Sequence, residues 1–342
     1  MIEYLEIKNF RNFEQQKITF SSSMTFLEGL NGSGKTSILE AIYFVSLLKS
    51  FRASDDKLLI NNNKSFAKIV LKTGDNLFEV VISDSSKHLK INNKVITKMS
   101  DFISRFKAIV FSPNDLKLVQ GLPGFRRHFM DVTMVQLTKK YLDNLTVYRK
   151  VLKERNALLK HLKPKDDLTF LKIINKRLAL EADQIIEGRM LFIKKLNKSF
   201  IERFKSFNPK DRVNLIYQPN SPLNSLEMIL NERFERDLVT QSTSAGPHRD
   251  DFLIEFNRKP AKEFASQGQT RLIAIALKLA LVDLFERDQD VVILLDDVLS
   301  ELDDDKKHEI EKLFTMKKQI ILTGTKSEYK NVKTINLDRK RN

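Results

Sequence analysis

The stretch Gly29-Leu30-Asn31-Gly32-Ser33-Gly34-Lys35-Thr36 decides the fold of this chain of 342 residues. It fits the pattern G-x-x-x-x-G-K-[ST] completely. The apolar residues at 24–27 before it predict a short buried strand, and apolar residues at helical spacing over 37–48 predict a helix after it. A strand, a glycine-rich loop and a helix in this order predict a P-loop, whose backbone N–H groups and helix N-terminus surround a phosphate.

Each residue of the loop has an expected role. Lys35 reaches the β- and γ-phosphates of a bound nucleotide, and the Thr36 hydroxyl binds Mg²⁺. ATP and Mg²⁺ are therefore the expected cofactors. A chance match of a surface loop is the alternative, and the flanking strand and helix weigh against it. The predicted nucleotide-binding residues of this loop are Gly29, Asn31, Gly32, Ser33, Gly34, Lys35, Thr36 and Ser37.

A second motif supplies carboxylates. Five consecutive apolar residues at 291–295 precede Asp296 and Asp297, which is typical of a strand buried on both faces of a parallel sheet. Ligands of such sheets lie at the carboxyl ends of the strands. We expect Asp296 to hold Mg²⁺ together with Thr36, and Asp297 to polarise the attacking water. Lys35, Asp296 and Asp297 are the predicted catalytic residues.

The class of P-loop protein is indicated by Ser266-Gln267-Gly268-Gln269, which precedes a predicted helix over 270–285. The motif resembles the signature of ABC-type ATPases, where it binds the γ-phosphate held by another subunit in a head-to-tail dimer. We therefore expect Ser266, Gly268 and Gln269 to bind nucleotide. The alternative is an ordinary helix N-cap followed by a turn glycine.

Two further stretches follow the ABC-type order. Residues 300–303 resemble the D-loop, which makes Asp303 a further candidate for nucleotide binding. The stretch 319–325 predicts another buried strand where the switch histidine of the class usually stands, but Thr323 or Thr325 occupies its place. Asp297 also replaces the usual catalytic glutamate. Both replacements predict slow hydrolysis, as in a timer.

A large helical insertion separates the two nucleotide motifs, since Lys35 and Ser266 are 231 residues apart. Helical periodicity runs from 125 to 204 and breaks at 163–167, which predicts an αα-hairpin with arms of about 38 residues. The predicted domains are therefore an ATPase head formed by 1–120 and 236–342, and a helical lobe formed by 121–235.

The positive charge is concentrated in this insertion. The whole chain carries a net charge of +15 with a pI near 9.6, and residues 126–205 hold 20 Lys and Arg against 9 Asp and Glu. The resulting +11 favours contact with a phosphate backbone over a merely solvated helix face. The candidate DNA-binding residues are Arg126, Arg127, Lys139, Lys140, Arg149 and Lys150. Structural ion pairing is the alternative for Arg126 and Arg127.

The composition excludes several kinds of site. The chain has no cysteine, which excludes disulfides and thiolate metal sites, and its five histidines show no metal-ligand spacing. No apolar run approaches the roughly 20 residues of a membrane span, and the N-terminus does not resemble a signal peptide. We therefore expect a cytoplasmic protein.

Taken in order, the motifs resemble those of the RecF family of bacterial recombination-repair ATPases along essentially the whole chain. In that family an Asp-Asp pair such as Asp296-Asp297 is normal. Besides the motifs already quoted, the matching segments are Lys8-Asn9-Phe10-Arg11-Asn12-Phe13, Lys49-Ser50-Phe51-Arg52, Phe111-Ser112-Pro113-Asn114-Asp115-Leu116, 121–131 and Gly246-Pro247-His248-Arg249-Asp250-Asp251.

The resemblance implies an α/β fold, with a P-loop ABC-type ATPase head and an inserted helical second lobe. It implies an ATP-dependent homodimer that clamps double-stranded DNA with little sequence preference, and it also implies binding to gapped DNA. It further implies that RecR and RecO are partners in loading RecA at single-strand gaps, in an SOS-linked repair pathway. None of these partners follows from composition or spacing.

Two other functions compete with this interpretation. Another ABC-type DNA ATPase with an appended nuclease is disfavoured, because only 39 residues follow Asp303. A P-loop kinase for small molecules would need an acceptor pocket and would have no use for Ser266.

The replacements at the catalytic and switch positions predict a slow ATPase. We expect steady-state turnover well below about 10 s⁻¹, the median for enzymes. A coupled assay with saturating ATP measures it, and a turnover number above that median would contradict the interpretation of the protein as a timer.

Overall fold

The computed structural model describes residues 1–103, 105–163, 166–285, 291–298, 304–312, 318–327, 329 and 332–338. The strands are β1 (Ile2–Phe10), β2 (Phe13–Thr19), β3 (Met24–Glu28), β4 (Phe66–Thr73), β5 (Asn76–Ser83), β6 (Lys87–Ile91), β7 (Lys94–Ile96), β8 (Lys107–Phe111), β9 (Val213–Gln218), β10 (Asp251–Phe256), β11 (Lys259–Pro260), β12 (Val291–Leu295), β13 (Ile320–Gly324) and β14 (Lys333–Asn336).

The helices are α1 (Lys35–Leu47), α2 (Met99–Phe102), α3 (Lys117–Gln120), α4 (Pro123–Leu137), α5 (Lys139–Leu159), α6 (Thr169–Phe207), α7 (Leu226–Glu232), α8 (Phe234–Thr240), α9 (Ala261–Phe264), α10 (Gln267–Leu284) and α11 (Asp304–Glu311). Short 3₁₀ turns lie at Asp56–Leu59, Pro113–Leu116 and Pro247–Arg249. Within the described ranges, no helix is both long enough and apolar enough to span a bilayer.

The chain forms two compact units. The first contains Met1–Asp115 and Val282–Asn342, and the second contains Leu116–Leu281. The mixed α/β fold that the motifs predict is confirmed.

A parallel sheet in the first unit sets the positions of the nucleotide motifs. Its strand order is β14-β3-β13-β12-β8. The strand predicted before the P-loop is β3, and the strand predicted before Asp296 is β12; both form as predicted. Every residue of β12 is buried, as expected for a central parallel strand. β13 lies between β3 and β12, so its carboxyl end stands between the ends of the strands that lead into the P-loop and the carboxylate pair.

Helix α1 forms the hydrophobic centre of this unit. Twelve of its thirteen residues are buried, which is typical of a helix enclosed on all sides. It contacts β8 and β13 of the parallel sheet, and also β1 and β4 of a second, antiparallel sheet with the order β2-β1-β4-β5-β6-β7. The start of α1, and with it the P-loop, is therefore fixed by packing on two sheets.

The second unit contains the predicted helical hairpin, with one difference. The second arm is the single helix α6 of 39 residues, and α5 packs along it. The first arm is divided into α4 and α5 at Thr138, whose backbone is extended at φ −150° and ψ 128°. Periodicity could not reveal this break, because apolar residues continue at helical spacing on both sides of it.

The segment after the hairpin also groups differently from the predicted boundary at 235/236, since the second unit extends to Leu281. Strand pairing explains the difference. β9, which follows α6, pairs antiparallel with β10, and α4 and α6 contact this small sheet. The predicted boundary places 251–256 in the head, but the backbone hydrogen bonds of this strand are made to 213–218.

A buried ion pair joins two helices of the second unit. Arg155 on α5 and Asp237 on α8 are both fully buried, and Arg155 Nη1 donates to Asp237 Oδ2 over 2.7 Å. Arg155 also donates to Asn175 and Thr243. Such a pair is hard to break from one side, because the remaining charge is left without a partner in a dry environment.

We expect Asp237→Ala to lower the free energy of unfolding by about 3–5 kcal/mol, because it leaves the Arg155 guanidinium buried without its counter-charge. Urea denaturation followed by circular dichroism measures the change. Glu235→Ala, at an exposed position on the same helix, is the matched control. Equal losses in the two variants would show that the pair does not hold these helices together.

Candidate nucleotide-binding site

The P-loop has the backbone geometry of a phosphate cradle. Gly34 stands before α1 with φ 101°, and a Cβ at this position would overlap the Phe13 ring. A residue other than glycine is therefore excluded here for two reasons, the left-handed backbone and the close approach of Phe13. Gly34 has no side chain to cap α1, so the first N–H groups of the helix point into the loop without a side-chain partner.

The Lys35 ammonium lies inside the loop. Lys35 is only 4% exposed, and its Nζ donates to the carbonyl oxygens of Gly29 at 2.6 Å and Leu30 at 3.1 Å. In the part of the chain that the structure describes, no carboxylate lies within 4.0 Å of Nζ. A buried ammonium held by carbonyl dipoles alone is a site that favours an anion.

The two residues predicted to hold Mg²⁺ lie in contact with each other. Thr36 Oγ1 donates to Asp296 Oδ1 over 2.7 Å, which joins the P-loop to the end of β12. Asp296 is 6% exposed, and burial raises the pKa of its carboxyl above the usual range, an effect that the Thr36 hydrogen bond opposes. A hydroxyl and a carboxylate oxygen are ligands that Mg²⁺ accepts in proteins, so these two residues fit the ion.

The structure separates the two candidates for the switch position. Thr323 on β13 is buried, and its hydroxyl accepts the backbone N–H of Asp297 at 2.9 Å and lies 3.4 Å from Asp296 Oδ1. Thr325 is exposed. Of the two threonines, Thr323 is therefore the one that contacts both aspartates. The backbone of Asp297 itself is in the left-handed conformation, with φ 52°.

Eight of the predicted residues line one pocket of about 680 Å³, whereas Gly29 and Asp296 do not line it and the signature residues lie in the second unit. The size of the pocket lies in the range of small-molecule sites. Asn12, Arg52, Leu58, Ile60, Asn61 and Asn62 contribute further lining that sequence reasoning had not assigned. The predicted residues that line it are Asn31, Gly32, Ser33, Gly34, Lys35, Thr36, Ser37 and Asp297.

A buried ion pair beside this pocket was missed from the sequence. Arg11, which lines the pocket, makes a bidentate pair with the fully buried Glu40 of α1, through Nε at 2.8 Å and Nη2 at 2.7 Å. The Ser50 hydroxyl donates to the same carboxylate. One signal was available: Glu40 is a lone carboxylate in an otherwise apolar helix segment, and such a residue requires a cationic partner.

The signature motif lies in the second unit and forms a capping box at the start of α10. The Ser266 N–H donates to Gln269 Oε1 at 2.8 Å, and the Gln269 N–H donates to Ser266 Oγ at 3.3 Å. Gly268 is exposed, with open space around its Cα. Ser266 is therefore the N-cap of α10, as the alternative predicts, and residues 266–268 of this turn are exposed. Asp303 and the D-loop lie outside the described residues.

The candidate DNA-binding residues differ in their surroundings. Arg126 is buried in a bidentate pair with Asp251, with both contacts at 2.7 Å, as the ion-pairing alternative predicts. Arg149 is 63% exposed and donates to Asp131. Arg127 is half-buried, and Lys139, Lys140 and Lys150 are exposed along α5. The structure thus leaves five of the six basic side chains at the surface or partly exposed.

Comparison with known proteins establishes the family. Residues 1–337 match the family model described as the RecF/RecN/SMC N terminal domain. The chain is 38% identical to the DNA replication and repair protein RecF of Acholeplasma laidlawii, over 94% of this chain and 93% of that protein. The chain belongs to the RecF family. It is also 36% identical to the RecF protein of Lactococcus lactis, over 95% of this chain and 92% of the relative.

Solved structures agree with this assignment. A structure described as the recombination mediator protein RecF with ATP in the RecFOR pathway superimposes with a TM-score of 0.90, at 29% identity, covering 98% of this chain and 95% of that chain. The Smc head domain of Pyrococcus furiosus has a TM-score of 0.54 at 19% identity, over 95% of this chain and 89% of that chain, which shows a shared fold alone.

The raised pKa of Asp296 makes a prediction about stability. The folded protein holds a proton on this carboxyl more readily than the unfolded chain does, so at pH 7 the ionised form destabilises the fold, and the cost falls as the pH falls towards the raised pKa. Asp296→Asn keeps an acceptor for Thr36 and removes the charge. We expect a melting temperature about 2 °C higher at pH 7 without nucleotide.

Differential scanning calorimetry at pH 7 and at pH 5 measures this effect, which should be smaller at pH 5. Asp75→Asn, an identical change at an exposed turn, is the control. A melting temperature that falls in Asp296→Asn at pH 7 would contradict the view that this carboxylate is destabilising.

Proposed function

We propose that the first unit binds ATP with Mg²⁺. The observation that carries the proposal is the buried Lys35 ammonium, which has only loop carbonyls as described partners, beside the hydrogen-bonded Thr36–Asp296 pair. Lys35 and the loop N–H groups would hold the phosphates, and Thr36 and Asp296 would hold the ion, which supplies charge neutralisation when bound. Leu58 and Ile60 offer apolar lining suited to a base.

We further propose that ATP joins two copies of the chain into a homodimer. The signature residues Ser266, Gly268 and Gln269 would meet the γ-phosphate held by the other copy. The exposure of Ser266 and Gly268 supports this role, because both lie at the start of α10 and a helix N-terminus favours an anion. ATP bound between two such surfaces would act as part of the interface.

The function that we propose is an ATP-dependent hold on double-stranded DNA in recombinational repair and replication restart. Membership of the RecF family supports it, as does the net charge of +11 on residues 126–205. We propose RecR and RecO as partners and the loading of RecA at single-strand gaps as the outcome. The slow hydrolysis expected from Asp297 and Thr323 would limit the lifetime of the DNA-bound dimer.

Sedimentation velocity with and without ATP tests the dimer. We expect ATP to convert the wild-type monomer to a dimer, and we expect Lys35→Met and Ser266→Arg each to remain monomeric. Lys35→Met removes the phosphate-binding cation, whereas Ser266→Arg places a bulky side chain at the exposed signature turn. The two variants therefore fail for different reasons, and only Ser266→Arg should still bind ATP.

Lys262→Met is the matched control, because Lys262 is an exposed lysine outside the proposed site. It should dimerise like the wild type. If Lys35→Met and Ser266→Arg both dimerise with ATP, the nucleotide is not part of the interface.

A further inference from the structure

A second pocket, of about 260 Å³, lies entirely within the second unit. Its lining is mostly basic and aromatic, with Arg127, His128, Tyr148, Arg149, Arg189 and His248, and it also includes one carboxylate, that of Asp131. The nucleotide-binding residues have no part in it. The helices α4, α5 and α6 and the 3₁₀ turn Pro247–Arg249 contribute the lining.

Arg127 is the cation of this pocket that makes no direct ion pair among the described residues. Its Nη1 donates to the backbone carbonyl oxygen of Asp250 at 2.8 Å, and among the described residues no carboxylate lies within 4.0 Å of its guanidinium. The side chain is half-buried, and burial lowers its pKa more than the nearby charges of Asp251 and Asp250 raise it, yet an arginine stays protonated. A partly desolvated cation that no carboxylate contacts directly favours an anionic ligand.

The carboxylates in and beside the pocket already pair with other arginines: Asp131 itself lines the pocket, and Asp251 is paired with Arg126. Asp131 Oδ1 accepts from Arg189 Nη2 and its Oδ2 accepts from Arg149 Nη2, both at 2.8 Å. Asp250 Oδ2 accepts from Arg189 Nη1 at 2.8 Å. Because two carboxylates thus compensate Arg149 and Arg189, the charge of Arg127 remains as the excess in the pocket.

Two other groups of the lining, Tyr148 and His248, are neutral and are held in place by hydrogen bonds. His248 Nε2 faces the Thr243 carbonyl oxygen at 3.0 Å, so this nitrogen donates, and Nδ1 then accepts the Tyr148 hydroxyl at 2.6 Å. Burial lowers the pKa of His248, which keeps the ring neutral. Gly124 leaves the space beside Arg127 open, since a Cβ there would meet only Arg127 Nη2, at 3.8 Å.

We propose that this pocket binds a phosphate group of DNA, with Arg127 as its main ligand and Arg149 as an exposed second contact. A guanidinium presents two parallel N–H donors, which match two phosphate oxygens. The inference rests on the proposed DNA-binding function and names one site for it. The phosphate has two possible sources, a backbone phosphodiester or the phosphate at a strand end.

Duplex binding tests the proposal. We expect Arg127→Ala to raise the Kd for duplex DNA about tenfold and to lower the salt dependence by about one phosphate contact, whereas Arg127→Lys should lie between Arg127→Ala and the wild type. Gly124→Leu should weaken binding as well, because it fills the pocket without removing a charge. Arg236→Ala removes an exposed arginine of the same unit outside the pocket and is the control. If Arg127→Ala and Gly124→Leu weaken binding no more than Arg236→Ala, the proposal is wrong.

Two further arms separate the possible outcomes. Fluorescence anisotropy with duplexes that carry or lack 5′-phosphates identifies the source of the phosphate. If Arg127→Ala weakens binding only of the phosphorylated duplex, the pocket binds a terminal phosphate. If it weakens binding of both duplexes equally, the pocket binds the backbone. Inorganic phosphate tests the pocket without DNA, in the Lys35→Met background that disables the P-loop. Phosphate should raise the melting temperature of Lys35→Met more than chloride does at equal ionic strength. In the double variant Lys35→Met/Arg127→Ala, phosphate and chloride should have the same effect.

The phosphate arm keeps this inference distinct from the proposed function. If the wild type fails to bind duplex DNA, the proposed function fails. If phosphate stabilises Lys35→Met and Lys35→Met/Arg127→Ala equally, the pocket is not a phosphate site, whatever the DNA result.

Discussion

The buried ammonium of Lys35 is the constraint on which the nucleotide site depends. It is only 4% exposed and donates to two carbonyl oxygens of its own loop. A cation in that position is tolerable because the loop dipoles point at it, and it becomes favourable when phosphate oxygens are added. The packing of α1 on two sheets and the left-handed backbone at Gly34 keep the loop in this shape.

On the other side of the site, burial disfavours a negative charge, that of Asp296. Asp296 is a buried carboxylate, and burial raises its pKa, while Thr36 and the Asp297 charge act on it in opposite directions. A cation placed beside Thr36 and Asp296 would remove the cost that burial imposes. An anion would stabilise the buried Lys35 ammonium, and a cation would stabilise the buried Asp296 carboxylate. One complex of a metal ion with a nucleotide would supply both charges.

Much of this site could be predicted from local sequence. Three of its parts are contiguous segments: the P-loop, the strand before Asp296 and the helix after the signature. The spacing of their apolar residues and the positions of their glycines are enough to identify them. The Arg11–Glu40 pair could not be located in this way, because its residues are brought together by the packing of β1 against α1. The choice of Thr323 over Thr325, the break at Thr138 and the pairing of β9 with β10 likewise depend on tertiary contacts.

The central claim is that ATP governs how the protein holds DNA. The most direct test is the retention of duplex DNA in a gel shift, for the wild-type chain with ATP, with ADP and without nucleotide, at a single salt concentration. The account predicts clearly tighter retention with ATP than in the other two conditions. Equal retention in all three would contradict it, because DNA binding would then be independent of the site that Lys35 and Asp296 form.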